Sequence, residues 1–485
     1  MAIETLSDDV LLEIFNLCLD KDEDIDPLYG SGEKGRHLYD AWYVLAHVCQ
    51  RWRYVVFASP RRLNLRLHCS RRRVREMLDV WPALPIVVWD IASFTSNEDN
   101  IVAALEHRDR VCEIKLEYLT RLRSEKVMSL LQESFPALTK LQIETYLFAR
   151  DEPALILPST FLGGSAPHLR FLCLESVSFP AFPNLLLSAG NLVCLYLSGT
   201  PSGYISLEMV AALSALTKLE DMRLAFGYPA SDSGLEEPAP LPLTPSLLPA
   251  LKALELGGSG EYLDDFVARI DAPSISYLKI VFANRPFYVN DFFHLPQFIG
   301  RVEKFRSYDY VGLDLWHHAM DVDLSLQRWT RDSPPGALHF TFLCDADGPL
   351  PSLVEACNTS LLPLSNVKNI VISTRHLNRD SQSEFNTEDP VWLEILRQFS
   401  AAKSLSLGSM QVVPPVAFAL KQAIEEGMTD VLPAIQELSG YVSGSLPAGP
   451  VRESIEQFAA ARGLSVIETP AYSSWRFSAR DTHEG

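Results

Sequence analysis

The chain has 485 residues, of which 61 are acidic and 42 are Lys or Arg, so its formal net charge is −19. This length exceeds one ordinary compact core and fits two or three domains or one elongated repeat array. Because a strongly acidic chain repels phosphate backbones, the composition argues against a nucleic-acid partner and favours basic protein partners. Hydrophobic residues make up 47% of the chain, enough to bury a core along most of it.

The eight cysteines form no Cys-x-x-Cys pair, and most lie inside apolar runs, where free cysteine behaves as a small hydrophobe. This usage predicts a reduced protein of the cytoplasm, the nucleus or both, rather than a disulfide framework. The N-terminal residues lack a basic segment leading into a long apolar run, so we expect neither a secretory signal nor a transit peptide. No stretch of about 18 uninterrupted apolar residues occurs, so we expect no membrane partner.

The N-terminal segment predicts two amphipathic helices. Ser7 suits a helix N-cap, and Asp8 and Asp9 place negative charge in the first turn, where the helix dipole favours it. Four apolar residues then follow at helical spacing: Leu11, Ile14, Phe15 and Cys18. A second helix is predicted after Asp40, with one face formed by Trp42, Leu45, Cys49, Trp52 and Val56. Spacing alone is also met by the core of any small helical cap.

The order of these residues resembles the F-box. Residues 6–15 match its Leu-Pro-x-Glu-Leu-Leu-x-x-Ile-Phe opening, and residues 48–53 match its Val-Cys-[Lys/Arg]-x-Trp close. The resemblance implies a helical module that binds the Skp-type adaptor of cullin-RING ubiquitin ligases. It assigns eight residues to adaptor contact or to the module's own core: Leu6, Val10, Leu11, Ile14, Phe15, Val48, Cys49 and Trp52.

This segment departs from the family pattern in three places. Ser7 stands where proline is usual, and the tryptophan after the last helix is missing, with Leu63 the nearest apolar residue. An acidic, then glycine-rich insert at residues 20–40 separates the two halves, and its composition predicts a loop. These departures bear on the affinity for the adaptor more than on the fold.

The insert holds two incomplete ligand motifs. Residues 30–35 have the Gly-x-Gly-x-x-Gly spacing of dinucleotide sites, but no strand precedes them to hold a pyrophosphate at a helix N-terminus. Acidic residues at 22, 24, 26 and 33 match EF-hand positions, but Pro27 stands where a sharp turn needs glycine. A solvated loop without a cofactor is therefore the expectation.

Nine arginines between residues 51 and 75 form a basic island in this acidic chain. A solvated helix face is favoured, with a nuclear-import or phosphate-binding patch, or contact with an acidic adaptor surface, as alternatives. The neighbouring His317 and His318 point apart on any regular element, so we expect solvated surface rather than a metal site. No nucleophile elbow, His-Glu-x-x-His or P-loop motif occurs, so we expect no enzyme.

From about residue 82 the phrase Leu-x-x-Leu-x-Leu recurs at intervals of roughly 23 to 32 residues. Residues 111–116, 169–174 and 251–256 are examples, and the phrases weaken after Ile280. Each phrase is the strand half of a leucine-rich repeat, and helices are predicted between strands, as at residues 124–132 and 416–426. Alternating strands and helices predict a parallel sheet in a solenoid, with a concave strand face. A proline-rich stretch at 231–249 predicts a loop.

The predicted fold class is therefore α/β, with a small helical F-box followed by an irregular leucine-rich-repeat-like solenoid. Its expected segments are a helical module at residues 1–68, a basic connector at 69–81, the solenoid at 82–475 and a flexible tail at 476–485. The resemblance implies the substrate-recognition subunit of an SCF-type ubiquitin ligase. It would join a Skp-type adaptor and the cullin core to a protein target. The alternative is a non-catalytic interaction scaffold acting outside ubiquitin transfer.

Overall fold

The computed structural model describes most of the chain, in segments separated by gaps. These are residues 6–19, 41–58, 64–69, 74–80, 83–90, 98–117, 121–145, 155–178, 182–200, 207–226, 244–283, 292–305, 308–316, 321–327, 337–343, 350–358, 362, 364–375, 389–440, 449–467 and 475–479. The chain divides into two compact units. The first is residues 1–200 with 215–218, and the second is residues 201–214 with 219–485.

The first unit opens with three helices, α1 (Asp8–Leu19), α2 (Ala41–Val48) and α3 (Gln50–Ala58). The prediction of a single helix after Asp40 is wrong, because the helix is interrupted at Cys49 and continues as a second helix. There the Cys49 Sγ accepts a hydrogen bond from the Trp52 N–H at 3.4 Å, and the Cys49 carbonyl accepts from the Arg53 N–H at 3.0 Å. Cys49 thus caps the start of α3, and it is exposed rather than part of a buried face.

The remainder of the first unit alternates strands with helices. The strands are β1 (Leu65–His68), β2 (Ile86–Asp90), β3 (Val111–Leu116), β4 (Lys140–Glu144), β5 (Leu155–Ile156), β6 (Phe171–Glu175), β7 (Val177–Ser178) and β8 (Cys194–Thr200). The helices are α4 (Val74–Val80), α5 (Glu98–Leu105), α6 (Arg121–Leu130) and α7 (Phe182–Ser188), with a 3-10 turn at Phe161–Gly164. Strand β1 lies inside the range predicted for the helical module, so the sheet begins earlier than expected.

The main sheet of the first unit is parallel throughout, in the order β1-β2-β3-β4-β6-β8. β5 pairs separately with β7, also in parallel. One apolar side chain from each main strand joins a continuous line at the same register, and all of them have 0% exposure: Leu67, Val88, Ile114, Leu141, Leu172 and Leu195. Adjacent repeats therefore bury one another's inward face, as in leucine-rich repeats.

The second unit continues the alternation. Its strands are β9 (Asp221–Phe226), β10 (Ser246–Leu247), β11 (Ala253–Gly258), β12 (Ile270–Asp271), β13 (Tyr277–Ala283), β14 (Tyr310–Trp316), β15 (Asp321–Gln327), β16 (Ala337–Leu343), β17 (Asn369–Arg375), β18 (Ser404–Leu407), β19 (Glu437–Gly440), β20 (Leu464–Ile467) and β21 (Trp475–Ala479). Its helices are α8 (Leu207–Leu213), α9 (Gly260–Ala268), α10 (His294–Arg301), α11 (Leu350–Cys357), α12 (Val391–Arg397), α13 (Val413–Glu425) and α14 (Pro450–Ala461), with 3-10 turns at Glu303–Phe305 and Leu364–Asn366.

The main sheet of the second unit runs β9-β11-β13-β16-β15-β14-β17-β18-β19-β21-β20. The sheet is largely parallel, as expected, but β15 and β21 are antiparallel to both of their neighbours. In β15 the buried residues Val322, Leu324 and Leu326 alternate with polar ones, so this strand lacks the repeat phrase. β21 lies across the predicted start of the flexible tail; residues 480–485 lie outside the described segments.

Two further expectations can be compared with the second unit. The α/β leucine-rich-repeat-like fold class is confirmed, because each Leu-x-x-Leu-x-Leu phrase leads into a strand of the main sheets. The loop predicted at 231–249 is wrong at its end, since Ser246–Leu247 pairs in parallel with Ile270–Asp271 and Leu248 is fully buried. Residues 231–243 of that loop lie outside the described segments.

A buried carboxylate joins two of the helices in this unit. Asp264 on α9 is 7% exposed and accepts hydrogen bonds from the backbone N–H groups of Phe293, His294 and Leu295 at 2.7–3.1 Å. These groups begin α10, and a helix start leaves such donors without an intrahelical partner. Asp264 therefore satisfies them and also complements the positive end of the α10 dipole.

Replacing Asp264 by Ala should lower the free energy of unfolding of the α9–α10 region by about 2–3 kcal/mol, because buried N–H donors lose their acceptor. Hydrogen exchange measured by mass spectrometry should show faster exchange at residues 293–301. The control Glu261→Ala removes an exposed carboxylate from the same helix and should leave exchange unchanged. Equal exchange in the two variants would contradict the assigned role of Asp264.

Candidate functional site

Helix α1 begins as its sequence predicts. The Ser7 Oγ accepts a hydrogen bond from the Val10 N–H at 3.4 Å, and the Ser7 carbonyl accepts from the Leu11 N–H at 3.0 Å. Asp8 and Asp9 lie in the first turn. Serine therefore caps this helix at the position where the F-box pattern usually has proline.

An ion pair ties α1 to α3. The Asp8 carboxylate accepts hydrogen bonds from Arg51 Nε at 3.2 Å and from Arg51 Nη2 at 2.8 Å. Arg51 Nη2 also donates to the Leu6 carbonyl. Arg51 thus joins the opening half of the predicted motif to its closing half, and this arginine of the basic island has a structural role. Arg66 of the same island contacts an aromatic ring, while Arg61, Arg62 and Arg71–Arg73 lie outside the described residues.

The helices enclose a small core. Leu11 and Phe15 are 1% and 0% exposed, and the Phe15 and Trp52 ring centroids lie 4.9 Å apart. Val55 and Val56 of α3 are buried with them. Of the eight residues assigned to adaptor contact or to core, Leu11 and Phe15 therefore lie in the core. Trp52 and Leu6 are half-buried.

The outer side of α1 carries an apolar stripe, which we call the α1 stripe: Val10, Ile14 and Leu17. Their side chains are 45%, 38% and 66% exposed, and their i, i+4, i+7 spacing places them on one face. Val48, 55% exposed, and the exposed Cys49 lie at the junction of α2 and α3. Leu17 is not part of the F-box pattern, although its spacing from Val10 places it on the same helix face.

The outward face of the first unit's sheet carries aromatic rings held by cations. Arg66 Cζ and Lys115 Nζ lie 5.7 and 5.2 Å from the Trp89 ring centroid. On the neighbouring strands, Lys140 Nζ lies 5.1 Å from the Phe171 ring, whose centroid is 5.3 Å from that of Tyr196. These cation–π contacts fix rigid aromatic surfaces on this face.

The same face carries three glutamates where β3, β4 and β6 end; we call them the carboxylate row: Glu117, Glu144 and Glu175. Glu144 is directly opposite Glu175, and the Gln142 amide donates a hydrogen bond to Glu144. Burial raises the pKa of Glu175, and the charge of Glu144 raises it further. Burial also raises the pKa of Glu117, against the opposing effect of Lys115 Nζ at 3.0 Å.

A buried thiol lies within this row. Cys173 is 2% exposed, and ligand atoms of Glu144, Cys173 and Glu175 all lie within 4.8 Å of one another. No sequence motif marks this group, because its members come from two strands that only the sheet brings together. The arrangement suits a cation, either a metal ion or a positively charged side chain.

Some of the sequence motifs fall outside the described segments. The insert at 20–40, with its glycine and acidic motifs, and the His317-His318 pair lie outside the described residues. None of the described helices is long and apolar enough to cross a lipid bilayer.

The comparisons with known proteins give structural matches only. No protein-family model matches the chain, and no curated protein matches it. The leucine-rich-repeat-containing protein LegL7 from Legionella pneumophila covers 84% of this chain and 99% of its own, at 12% identity and a TM-score of 0.32. A leucine-rich-repeat protein of Leptospira interrogans covers 80% and 90%, at 13% identity and a TM-score of 0.27.

The strand registers of the two units define the class of protein. Each unit stacks strands that bury a shared apolar line, with polar and aromatic residues alternating outward, so the chain has a leucine-rich-repeat-like fold. The F-box remains a prediction.

The thiols should differ sharply in reactivity. Burial raises the pKa values of Cys112 and Cys357 to about 12 and raises that of Cys69 further, so these thiols carry almost no thiolate at pH 8. Exposed Cys49 should therefore be alkylated by iodoacetamide before these three thiols under native conditions. Peptide mass spectrometry measures each site, and alkylation of Cys69 or Cys357 before Cys49 would contradict this order.

Proposed function

We propose that this chain is the substrate-recognition subunit of an SCF-type cullin-RING ubiquitin ligase. The observation that carries the proposal is the α1 stripe, which exposes three aliphatic side chains on a helix whose opposite face is already packed. The sequence of that helix and of the α2–α3 junction resembles the F-box opening and close. A Skp-type adaptor would cover the stripe.

The geometry favours such a contact. Burying an aliphatic side chain contributes about 1.5–3 kcal/mol, so three neighbouring ones on a helix offer a suitable centre for an interface. The Asp8–Arg51 pair and the Phe15–Trp52 contact fix α1 against α3, so little ordering would be needed on binding. Val48 and Cys49 would extend the interface at the helix junction.

The repeats would hold the protein target. Stacked repeats present an extended outward strand face, and the first unit's face carries fixed aromatic rings and charges suited to protein contact. The chain would then act by proximity, because joining target and ligase core raises the effective concentration of target lysines near the activated ubiquitin. The proposal assigns no proton or acyl transfer to this chain.

The adaptor interface can be tested with Val10→Asp/Ile14→Asp. Both positions are exposed, so the fold should persist, while two charges placed against an apolar adaptor surface should weaken the complex by roughly 100-fold or more. The measurement is gel filtration of the full chain with a Skp-type adaptor, followed by titration calorimetry. Circular dichroism checks that the variant is folded.

The matched control is Ile156→Asp/Leu187→Asp, which makes the same kind of change at positions that are 65% and 60% exposed. This control should bind the adaptor like the unaltered chain. If the unaltered chain forms no complex, the ligase role is rejected, and the alternative of an interaction scaffold outside ubiquitin transfer takes its place.

A further inference from the structure

We propose that Arg51 is the positioning residue of the α1 stripe, because it fixes where α1 begins and therefore how the stripe is oriented. This inference deepens the proposed function and rests on it for the adaptor. Arg51 occupies the unspecified position of the Val-Cys-[Lys/Arg]-x-Trp close, so the F-box resemblance assigns it no role. Its side chain nevertheless bonds to the residues on both sides of the Ser7 cap.

The side-chain cap of α1 is weak by itself. The Ser7 Oγ accepts from the Val10 N–H at 3.4 Å, which is longer than the roughly 2.7–3.2 Å of a usual N–H···O hydrogen bond. Ser7 is also exposed, so water competes for the same donor. The start of α1 therefore depends on a further contact.

Arg51 makes that contact from α3. Its Nε and Nη2 donate to one oxygen of the Asp8 carboxylate at 3.2 and 2.8 Å, and Nη2 also donates to the Leu6 carbonyl. A planar guanidinium holds its donors in a fixed fork, so one side chain sets the direction of two acceptors. Because these acceptors flank Ser7, Arg51 restrains the backbone on both sides of the cap.

A second contact holds α1 farther along its length. The Phe15 and Trp52 ring centroids lie 4.9 Å apart, and Phe15 is fully buried. Asp8 and Phe15 are roughly 10 Å apart along the helix axis, at about 1.5 Å per residue. Val10 and Ile14 lie between the two attachments, so the attachments together set the tilt of the α1 stripe relative to α3.

The helix that carries Arg51 is itself fixed at its start. Arg51 lies in the first turn of α3, where Cys49 accepts hydrogen bonds from the Trp52 and Arg53 N–H groups. Arg51 thus links a capped helix to the start of α1. Without this link, α1 would stay attached at Phe15 but would tilt more freely about that contact.

Positioning and direct contact with the adaptor predict different kinetics. The ion pair is exposed, at 38% for Arg51 and 54% for Asp8, so it adds little to the stability of the folded chain. Its loss lowers the fraction of molecules whose stripe is oriented for binding, and the apparent affinity falls by that fraction. Association then slows, while dissociation is unchanged because the contacts of the bound state are the same. Removing a residue that touched the adaptor would instead speed dissociation.

The test measures binding of the full-length chain to an immobilised Skp-type adaptor by biolayer interferometry. Arg51→Met should lower the association rate constant by about 5-fold or more and change the dissociation rate constant less than about 2-fold. The control Arg75→Met removes the same charge from an exposed position of the same unit and should change both constants less than about 2-fold. Circular dichroism checks that both variants are folded.

Two outcomes of this comparison would overturn the proposal. Equal slowing of association by Arg51→Met and Arg75→Met would show steering by net charge alone. Faster dissociation of Arg51→Met, with association unchanged, would make Arg51 a contact residue rather than a positioning residue.

A covalent restraint at the same point supplies a rescue. Proline fixes its own φ near about −65° and restricts the residue before it, so Ser7→Pro restrains Leu6 as Arg51 does. The Ser7 N–H donates no hydrogen bond to any described residue, so proline removes none there. Ser7→Pro/Arg51→Met should associate within about 2-fold of Ser7→Pro alone. A folded double variant that associates as slowly as Arg51→Met would overturn the assigned role.

Hydrogen exchange of the free chain separates this inference from the proposed function. Arg51→Met should speed amide exchange at residues 8–13 and leave residues 52–58 unchanged, and adding Ser7→Pro should reverse the change. If the unaltered chain forms no adaptor complex, the proposed function is rejected, and exchange still decides whether Arg51 positions α1. Unchanged exchange at residues 8–13 would overturn the inference whether or not the adaptor binds.

Discussion

A leucine or its equivalent on one strand packs against the residue at the same register of the next strand, and this contact repeats along each unit. In the second unit one such line joins Met222, Leu254, Leu278 and Leu338, all fully buried. No single repeat could bury this face alone, because its apolar side chains need a neighbouring repeat on either side. Every other feature of the fold depends on that shared line.

The line also determines which residues are available for function. Side chains alternate between the two faces of a strand, so fixing Leu141 and Ile143 inward directs Gln142 and Glu144 outward. In-register pairing then aligns outward residues from successive strands, which is how Glu117, Glu144 and Glu175 form one row. The α1 stripe arises in the same way on a helix, because burying Leu11 and Phe15 leaves Val10, Ile14 and Leu17 exposed.

Much of the fold could be predicted from the sequence, because each Leu-x-x-Leu-x-Leu phrase is itself the sequence signature of a strand. Strand β3 coincides with the predicted phrase at 111–116, and β6 (Phe171–Glu175) extends the phrase at 169–174 by one residue. β15 could not be recognised in this way, since its alternating pattern fits any half-buried strand and its antiparallel direction is set by the neighbouring β14 and β16. The break at Cys49 was hidden because a helical stripe runs through it.

The two groups of candidate site residues also differ in how far apart their members lie in the sequence. The residues of α1 that we propose for adaptor contact could be selected from the sequence because a motif is local. Spacing alone did not separate the core residues Leu11 and Phe15 from the exposed Val10 and Ile14. The carboxylate row was not predictable, since its three glutamates are separated in the sequence by whole repeats. Only the register of the sheet brings them together.

We propose that the adaptor and the target occupy different surfaces of this chain, and hydrogen exchange of the adaptor complex tests this proposal most directly. When a Skp-type adaptor is bound, amide hydrogen exchange should be slower at residues 8–19 and 41–58 than in the free chain. Exchange in β4 and β6, which carry Glu144 and Glu175 of the carboxylate row, should be unchanged. Protection of β4 and β6 by the adaptor, with none at residues 8–19, would contradict it.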